Sequence, residues 1–247
     1  MRSVHASIAV LALAGTFGCA ALFGPGNTVV PGNEGAPGVT RFLVCAPNTV
    51  IALPAELRDL AGPLRDQIDA YLRFQNRQTQ WIDLVESKRR WADAISAAKQ
   101  QGAVEKAPQL FAQKLGEKYD FDAIVMPSVL LHNAKANAGT ARWDGVERRM
   151  PVLNAPRHDP GAMTVEFGGY EGDLPVTSVH VLIFSRSGER IFEGRGGLEI
   201  IHEVDLAAFK KKYKLDTHLR NDLGHDIDAL REGIAIAFDP YLTPPQE

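Results

Sequence analysis

The sequence predicts an α/β fold, in which helices pack in two or three layers on a mixed sheet of about five to six strands. Short apolar runs, typical of strands, alternate along the chain with segments whose apolar residues recur every three or four positions, as in amphipathic helices. Residues 122–131 form a nearly continuous apolar run, which is typical of a central strand buried on both faces. These patterns together favour a sheet that is covered by helices.

The first half of this fold is predicted from residue 41 onward. Residues 42–46 form a short apolar run that predicts the first strand, and a helical spacing of leucines predicts a helix over residues 54–74. Residues 80–84 predict a short second strand. Two further helices are predicted around residues 91–98, with Gly102 closing the first of them, and around residues 107–118, directly before the central strand.

The second half begins with a turn over residues 133–139, and the polar residues 140–150 predict one long strand near the sheet edge. A hairpin follows, with its turn at residues 186–189 between two apolar runs. Two helices over residues 205–239 are predicted to close the chain. The second helix should lie on the sheet through a regular apolar stripe, which consists of Leu219, Leu223, Ile227, Leu230, Ile234 and Phe238.

The N-terminus has the layout of a signal peptide over residues 1–18, with Arg2 followed by a ten-residue run without charge. That run is too short to span a bilayer, which takes about 20 apolar residues. Residues 20–40 are rich in glycine and proline without an apolar period, which predicts a flexible spacer. A single domain is predicted over residues 41–247, with a long irregular insert at 151–175.

The stretch Gly15-Thr16-Phe17-Gly18-Cys19 resembles the lipobox of bacterial lipoproteins. The resemblance implies cleavage before Cys19, a diacylglyceryl thioether on its sulfur and acylation of its new amino group, a combination that holds a protein on a membrane. Ala20 is not the aspartate that retains lipoproteins at the inner membrane, so the resemblance implies the periplasmic face of the outer membrane. The alternative is an ordinary secretory signal that leaves Cys19 in the mature tail.

The second cysteine, Cys45, lies in the apolar run of the first predicted strand. A thiol there is predicted to be a small buried hydrophobe rather than the disulfide partner of Cys19. Charge is scattered, with 27 basic and 30 acidic residues, and nothing indicates a nucleic-acid partner. No Gly-x-Ser-x-Gly elbow exists, and Gly194-Arg195-Gly196-Gly197 lacks the ending of a phosphate loop. Its glycines favour a bulge or a close backbone approach.

We predict no metal site and no cofactor. His218, Asp222 and His225 could share one side of the last helix and bind a metal, but capping and solvent-facing roles are favoured. Asp120 and Asp122 could be paired carboxylates for acid–base work, but their place at a helix-to-strand turn favours turn chemistry. His180 and His202 are interpreted as lone sheet histidines.

The order of elements is similar to that of a group of envelope α/β domains, on the pieces at residues 111–116, 122–128 and 188–194. The group comprises curli-secretion-type lipoproteins, the N-terminal domain of the Tol-Pal propeller protein and lipoproteins that activate peptidoglycan synthases. The resemblance implies a non-catalytic subunit that binds an envelope protein, and self-association, since members assemble into rings. No transmembrane hairpin of the pore-forming members is present in the sequence, which argues against a pore.

Exposed aromatic residues beside arginines are the predicted partner-binding site, because these residue types dominate binding hot spots. Trp143 lies in the polar segment with Arg142 and Arg148, and the insert contributes Phe167 and Tyr170. The alternative for Trp143 is that it packs inward under a neighbouring element.

Two functions from different classes follow. The favoured hypothesis is a non-catalytic, membrane-tethered assembly or scaffold subunit of an export, surface-appendage or cell-wall machine. The alternative is an envelope hydrolase whose site forms in the 151–175 insert around His158 and Asp159.

Overall fold

The computed structural model describes residues 26–48, 55–153, 171–205 and 217–242. The predicted signal peptide, Cys19 and the helix predicted near residues 206–213 lie outside the described residues. Among the helices described, none is long and apolar enough to cross a membrane.

The fold is mixed α/β, as the sequence predicts, and its described residues form a large sheet of eight strands and a small sheet of two. The strands of the large sheet are β1 (Thr28–Val29), β2 (Arg41–Cys45), β3 (Gln78–Ile82), β4 (Ala123–Asn137), β5 (Thr140–Trp143), β6 (Val146–Arg149), β7 (Glu171–Ser185) and β8 (Arg190–Ile200). Its main path runs β1-β8-β7-β4-β2-β3, and β5 and β6 extend from the end of β4. In the small sheet, β9 (His202–Val204) pairs with β10 (Thr217–Leu219).

Strand direction divides the large sheet into two parts. Strand β2 runs parallel to both β3 and β4, and helices make these crossovers, as parallel neighbours require. Strands β4, β7, β8 and β1 are antiparallel, and β4 and β7 pair along their full 15 residues. The β4–β7 pair therefore forms the centre of the sheet at one end and extends beyond β2 at the other.

In the part of the chain that the structure describes, four helices cover the sheet: α1 (Ala61–Phe74), α2 (Leu84–Gln100), α3 (Ala107–Gly116) and α4 (Ile227–Phe238). Short 3-10 segments, Ala55–Leu60 and Val104–Lys106, precede α1 and α3. Asp83 caps α2 by accepting a hydrogen bond from the Glu86 amide at 2.8 Å, which explains why the helix begins there.

The helices lie on both faces, so the core has two apolar layers with the sheet between them. Val44 and Val125 pack against α1 and α4, whereas Leu43 and Ile124 pack against α2 and α3. Cys45 is buried among the second group, and burial raises the pKa of its thiol to about 12. The prediction of Cys45 as an inert core residue is confirmed.

The single long strand predicted over residues 140–150 was wrong, because this segment is the β5–β6 hairpin. Its turn is Asp144-Gly145, whose φ angles of 38° and 83° are those that an Asp-Gly hairpin turn adopts. Strand β4 also continues through most of the predicted turn and ends at Asn137. The sheet therefore has more strands than the five to six expected.

The prediction that Leu219 and Leu223 belong to the last helix was wrong. Leu219 belongs to β10, and α4 begins only at Ile227, after Gly224 with a φ of 79° and the cap residue Asp226. His218, Asp222 and His225 therefore do not share a helix side. Asp222 instead pairs with Arg220, and no cluster suited to a metal ion occurs in the described ranges.

The flexible spacer predicted up to residue 40 was wrong for residues 26–40, which are part of the folded body. Strand β1 pairs with β8, Ala36 is buried in the core beside α1, and Val39 packs against it. Glycine and proline there serve tight turns, such as the one at Gly35 with a φ of 71°.

Candidate functional site

The β5–β6 hairpin folds back over β7 and β8, and two hydrogen bonds hold its turn against these strands. Trp143 Nε1 donates to the Thr177 carbonyl at 3.0 Å, and the Gly197 amide donates to the Asp144 carbonyl at 3.0 Å. Trp143 is consequently only 7% exposed. The expectation that Trp143 presents itself to a partner was wrong, and the alternative of inward packing is what the structure shows.

The side chain of Asp144 joins a polar cluster with His132 of β4 and Ser178 of β7. Ser178 Oγ donates to Asp144 Oδ2 at 2.6 Å, and His132 Nε2 lies 2.9 Å from Ser178 Oγ and 3.3 Å from Asp144 Oδ2. Burial acts to raise the pKa of Asp144, but the hydrogen bonds from His132 and Ser178 outweigh it and hold the pKa below its ordinary range.

Serine, histidine and aspartate are the residues of a catalytic triad, but their arrangement here differs from one. A nucleophilic serine gives its proton to a histidine that a carboxylate orients from the far side of the ring. Here Ser178 donates directly to Asp144, so Nε2 of His132 is left to donate to the hydroxyl rather than to accept from it. Ser178 is also fully buried, which blocks access for a substrate. This cluster holds the hairpin on the sheet.

Sequence reasoning missed His132 and Ser178 because no local pattern connects them. The register of β4 and β7 sets Leu130 opposite Ser178 and His132 opposite Val176, which puts the two polar side chains on one face. Asp144 reaches them only because the hairpin folds back. The Asp-Gly dipeptide was the one available signal, since it predicts a tight turn at that point.

A second polar group lies beside this cluster on the same sheet face. His180 Nε2 is 3.1 Å from Glu193 Oε1, and Arg190 pairs with the same carboxylate at 2.7 Å. Burial lowers the pKa of His180, against the opposing effect of its hydrogen bond with Glu193. The interpretation of His180 as a lone sheet histidine was therefore wrong. Arg195, directly opposite His180 on β8, is exposed.

The outer face of the β5–β6 hairpin carries the exposed charges of this region. Arg142 pairs with Glu147 across the two strands at 2.7 Å, and Arg149 is also exposed. Arg148 faces the other way, because its guanidinium contacts Glu232 of α4 at 2.6 Å and the Leu198 carbonyl at 3.4 Å. Of the two predicted arginines, only Arg142, paired with Glu147, is therefore exposed on the outer face.

The remaining predicted residues of the insert are not among those described: Phe167 and Tyr170 of the partner-binding site, and His158 and Asp159 of the alternative hydrolase site. Their roles stay predictions.

Asp120 and Asp122 form ion pairs rather than an acid–base pair. The Asp122 carboxylate accepts hydrogen bonds from the Thr40 and Arg41 amides, both at 2.9 Å, and pairs with the Arg41 guanidinium at 2.8 Å. The hydrogen bond from Arg41 lowers the pKa of Asp122 most, which keeps it ionised. Asp120 pairs with Arg41 and with Arg186. Both carboxylates therefore tie the start of β2 to the start of β4.

We expect the Asp144→Asn variant to lower the free energy of unfolding by about 1–2 kcal/mol at neutral pH, because the hairpin loses a charged acceptor. The folded pKa of Asp144 is lowered, so its stabilisation is present above about pH 4 and is lost as the pH falls through the lowered value. The difference between variant and wild type should therefore shrink in acid. Denaturant unfolding at several pH values measures this.

A matched control for that variant is Asp93→Asn on the exposed side of α2, which should leave the free energy of unfolding unchanged at every pH. Equal free energies of unfolding for the wild type and the Asp144→Asn variant at neutral pH would contradict the role of Asp144 in holding the hairpin on the sheet.

No protein-family model matches the chain, and no curated protein matches it. Among solved structures, it is similar to the PelC dodecamer from Paraburkholderia phytofirmans, with a TM-score of 0.33 and 10% identity over 88% of this chain and 95% of that chain. It is also similar to a neuraminyllactose-binding hemagglutinin homolog from Helicobacter pylori, with a TM-score of 0.34 and 10% identity over 79% and 81%. At these scores neither likeness bears on what this chain binds or how it assembles.

Proposed function

We propose that this chain is a lipid-anchored protein on the periplasmic face of the bacterial outer membrane, where it binds an envelope protein as a non-catalytic assembly or scaffold subunit. The observation that carries the proposal is the position of Cys19, preceded by Gly18 at the end of a signal-peptide layout. The machine it serves would be one for export, surface appendages or the cell wall, as the resemblance of the folded body implies.

The polar clusters of the body support a non-catalytic role. The Ser178 hydroxyl is buried and donates to Asp144, and the Glu193 carboxylate is occupied by His180 and Arg190. Asp122 is held ionised by Arg41, so it is a poor general acid. Each of these groups is committed to contacts within the fold rather than to an approaching substrate.

The outer face of the β5–β6 hairpin is the part of the predicted partner-binding site that stays exposed. Arg142 and Arg149 offer guanidinium groups on a short two-stranded element whose inner face is fixed by Trp143. Because this element is already held in place, binding a partner would cost less conformational entropy. We place the contact with the partner on this face, together with the predicted contribution of Phe167 and Tyr170.

The anchor is tested by the Cys19→Ser variant, which removes the sulfur that would carry the diacylglyceryl group. We expect the variant to move from the membrane fraction to the soluble fraction of the periplasm. The Cys45→Ala variant is the matched control, because it changes the other cysteine, which is buried in the core, and should stay on the membrane. Continued membrane association of the Cys19→Ser protein would contradict the lipid anchor.

Partner binding is tested by exchanging the charges of the hairpin, in the double variant Arg142→Glu with Glu147→Arg. The exchange keeps the cross-strand ion pair but inverts its polarity, so stability should not change while the partner recovered from detergent-solubilised membranes falls at least tenfold. Arg89→Glu, on the exposed side of α2, is the control and should recover the partner fully. Equal recovery with all three proteins would contradict a contact at this face.

Self-association is part of the proposal, because the resembled group assembles into rings. Light scattering of the purified chain in detergent measures it, and a mass of a single chain at all concentrations would remove self-association from the proposal.

A further inference from the structure

The side chain of Asn27 is hydrogen-bonded to the folded body. The Asn27 side-chain amide donates to the carbonyls of Ile236 and Asp239, both at 2.7 Å, and its oxygen accepts from the Arg195 amide at 2.7 Å. Strand β1 follows at once and pairs with β8, with Thr28 opposite Glu193. These contacts fix the point from which the N-terminal segment leaves the body.

Only seven residues lie between Cys19 and Asn27, so eight Cα–Cα steps join them. Fully extended, a chain of eight Cα–Cα steps reaches at most about 28 Å. A spacer that ran to residue 40 would have allowed more than twice that extended reach. If Cys19 is held in the bilayer, the body is therefore kept close to the lipid headgroups at the place where Asn27 lies.

Because the short link ends at β1, the position of β1 in the sheet determines how the body is oriented on the membrane. Strands β1 and β3 are the two ends of the six-strand path, so five inter-strand steps separate them, about 24 Å. We infer that the edge formed by β1 and β8 faces the membrane surface, while the β3 edge and the start of α2 point away from it. This inference rests on the lipid anchor of the proposed function.

The side chains along the β1–β8 edge suit a lipid headgroup surface. Val30 directly follows β1, is 41% exposed and pairs with Ile191, next to Arg190 on β8. Arg195 is exposed at the other end of β1, where its amide donates to Asn27. Arg190 is also exposed and pairs with Glu193. Guanidinium groups bind phosphate oxygens, and an apolar side chain at that depth gains from contact with the acyl boundary. The membrane-facing edge is thus defined by Val30, Arg190 and Arg195.

The experiment compares two single-cysteine labels on the full-length, acylated chain in liposomes that contain a headgroup-labelled acceptor lipid. One dye is placed at Val30→Cys on the membrane-facing edge. The other is placed at Val85→Cys, at the start of α2, where the native side chain is 79% exposed. The remaining thiol, Cys45, is buried with a pKa raised to about 12, so it does not take the dye.

We expect severalfold more energy transfer from the dye at residue 30 than from the dye at residue 85. Inserting 20 glycine and serine residues between Cys19 and Asn27 lengthens the greatest reach of the link to about 98 Å, and the difference should then disappear. Equal transfer, or more transfer from residue 85, in proteins that remain on the liposomes would overturn the orientation. Failure of both labelled proteins to float with the liposomes would instead overturn the anchor on which it rests.

Discussion

Replacing Gly196 by alanine is expected to lower the free energy of unfolding by about 3 kcal/mol. A Cβ atom at Gly196 would lie 1.8 Å from the Gly233 carbonyl oxygen and 2.9 Å from the Ala237 amide nitrogen, both on α4. These are backbone atoms, so no side chain can turn aside to make room. The effect should therefore reach the upper end of the range for overpacked cores.

The same close contact extends along the helix. A Cβ at Gly194 would lie 2.2 Å from the Ala237 carbonyl oxygen, and one at Gly233 would lie 2.5 Å from the Gly197 carbonyl oxygen. Helix α4 and strand β8 therefore meet backbone to backbone. To admit one methyl group at Gly196, α4 would have to move away from the sheet, and Ile234 and Phe238 would lose part of their packing in the core.

Equilibrium unfolding in urea measures the effect, with a lower midpoint and an unchanged dependence on denaturant concentration. The control is Gly62→Ala in the first turn of α1, where an added Cβ meets no atom within 4 Å. That variant should be neutral or slightly more stable, because alanine favours a helix. A Gly196→Ala protein as stable as Gly62→Ala would show that α4 does not lie this close to β8.

The glycine-rich stretch at residues 194–197 has one feature that local sequence predicts and one that it does not. Glycines inside a strand pattern predict a bulge or a close backbone approach, and both are found, since the register of β7 and β8 shifts beside Gly197. The element that approaches could not be predicted. It depends on the rotation of α4, which the packing of its apolar side chains against distant strands decides.

Elements with a strong local period were predicted well. Helices α1, α2 and α3 and strands β2 and β4 follow from apolar spacing alone, because the buried face of each element repeats along it. The hairpin at residues 140–149 was missed because its polar outer face resembles an edge strand. The spacer prediction fails for residues 26–40 because composition does not reveal the pairing of Thr28–Val29 with a strand more than 160 residues away.

The candidate site was less predictable than the fold. Trp143 belongs to an amphipathic hairpin only 10 residues long, in which the sequence does not tell which face is covered. His132 and Ser178 come together through the register of β4 and β7, which is set over 15 residue pairs and not by the two residues themselves. Contacts of this kind depend on tertiary structure and leave no pattern in the sequence.

Replacing Arg220 by alanine is expected to destabilise the fold by about 3 kcal/mol at neutral pH, the cost of leaving a buried charge without its partner. Arg220 Nη2 lies 3.4 Å from Glu199 Oε1, and Nε lies 2.9 Å from Asp222 Oδ1. Glu199 is almost fully buried and accepts the Gly224 amide at 2.7 Å. These contacts hold the segment before α4 against the end of β8.

The penalty should depend on pH with a definite sign. Burial raises the pKa of Glu199, although the Gly224 amide and Arg220 act to lower it, and Asp226 and Asp222 add to the rise. A carboxyl group whose folded pKa is raised costs stability above that pKa and none below its ordinary value near pH 4. Loss of Arg220 raises the pKa of Glu199 further. The destabilisation of Arg220→Ala should therefore be smaller at pH 5 than at pH 7.5.

A double variant separates the buried charge from the other contacts of Arg220. Glu199→Gln keeps an acceptor for the Gly224 amide but removes the charge, so Arg220→Ala with Glu199→Gln should be more stable than Arg220→Ala alone and should lose its pH dependence. If the double variant is no more stable, the cost arises from the lost hydrogen bonds to Asp222 and to the Ile200 carbonyl, which Arg220 Nη1 contacts at 3.0 Å. Arg220 would then act as a hydrogen-bond donor that joins the segment before α4 to the end of β8, and the Gly224 amide alone would stabilise the charge of Glu199.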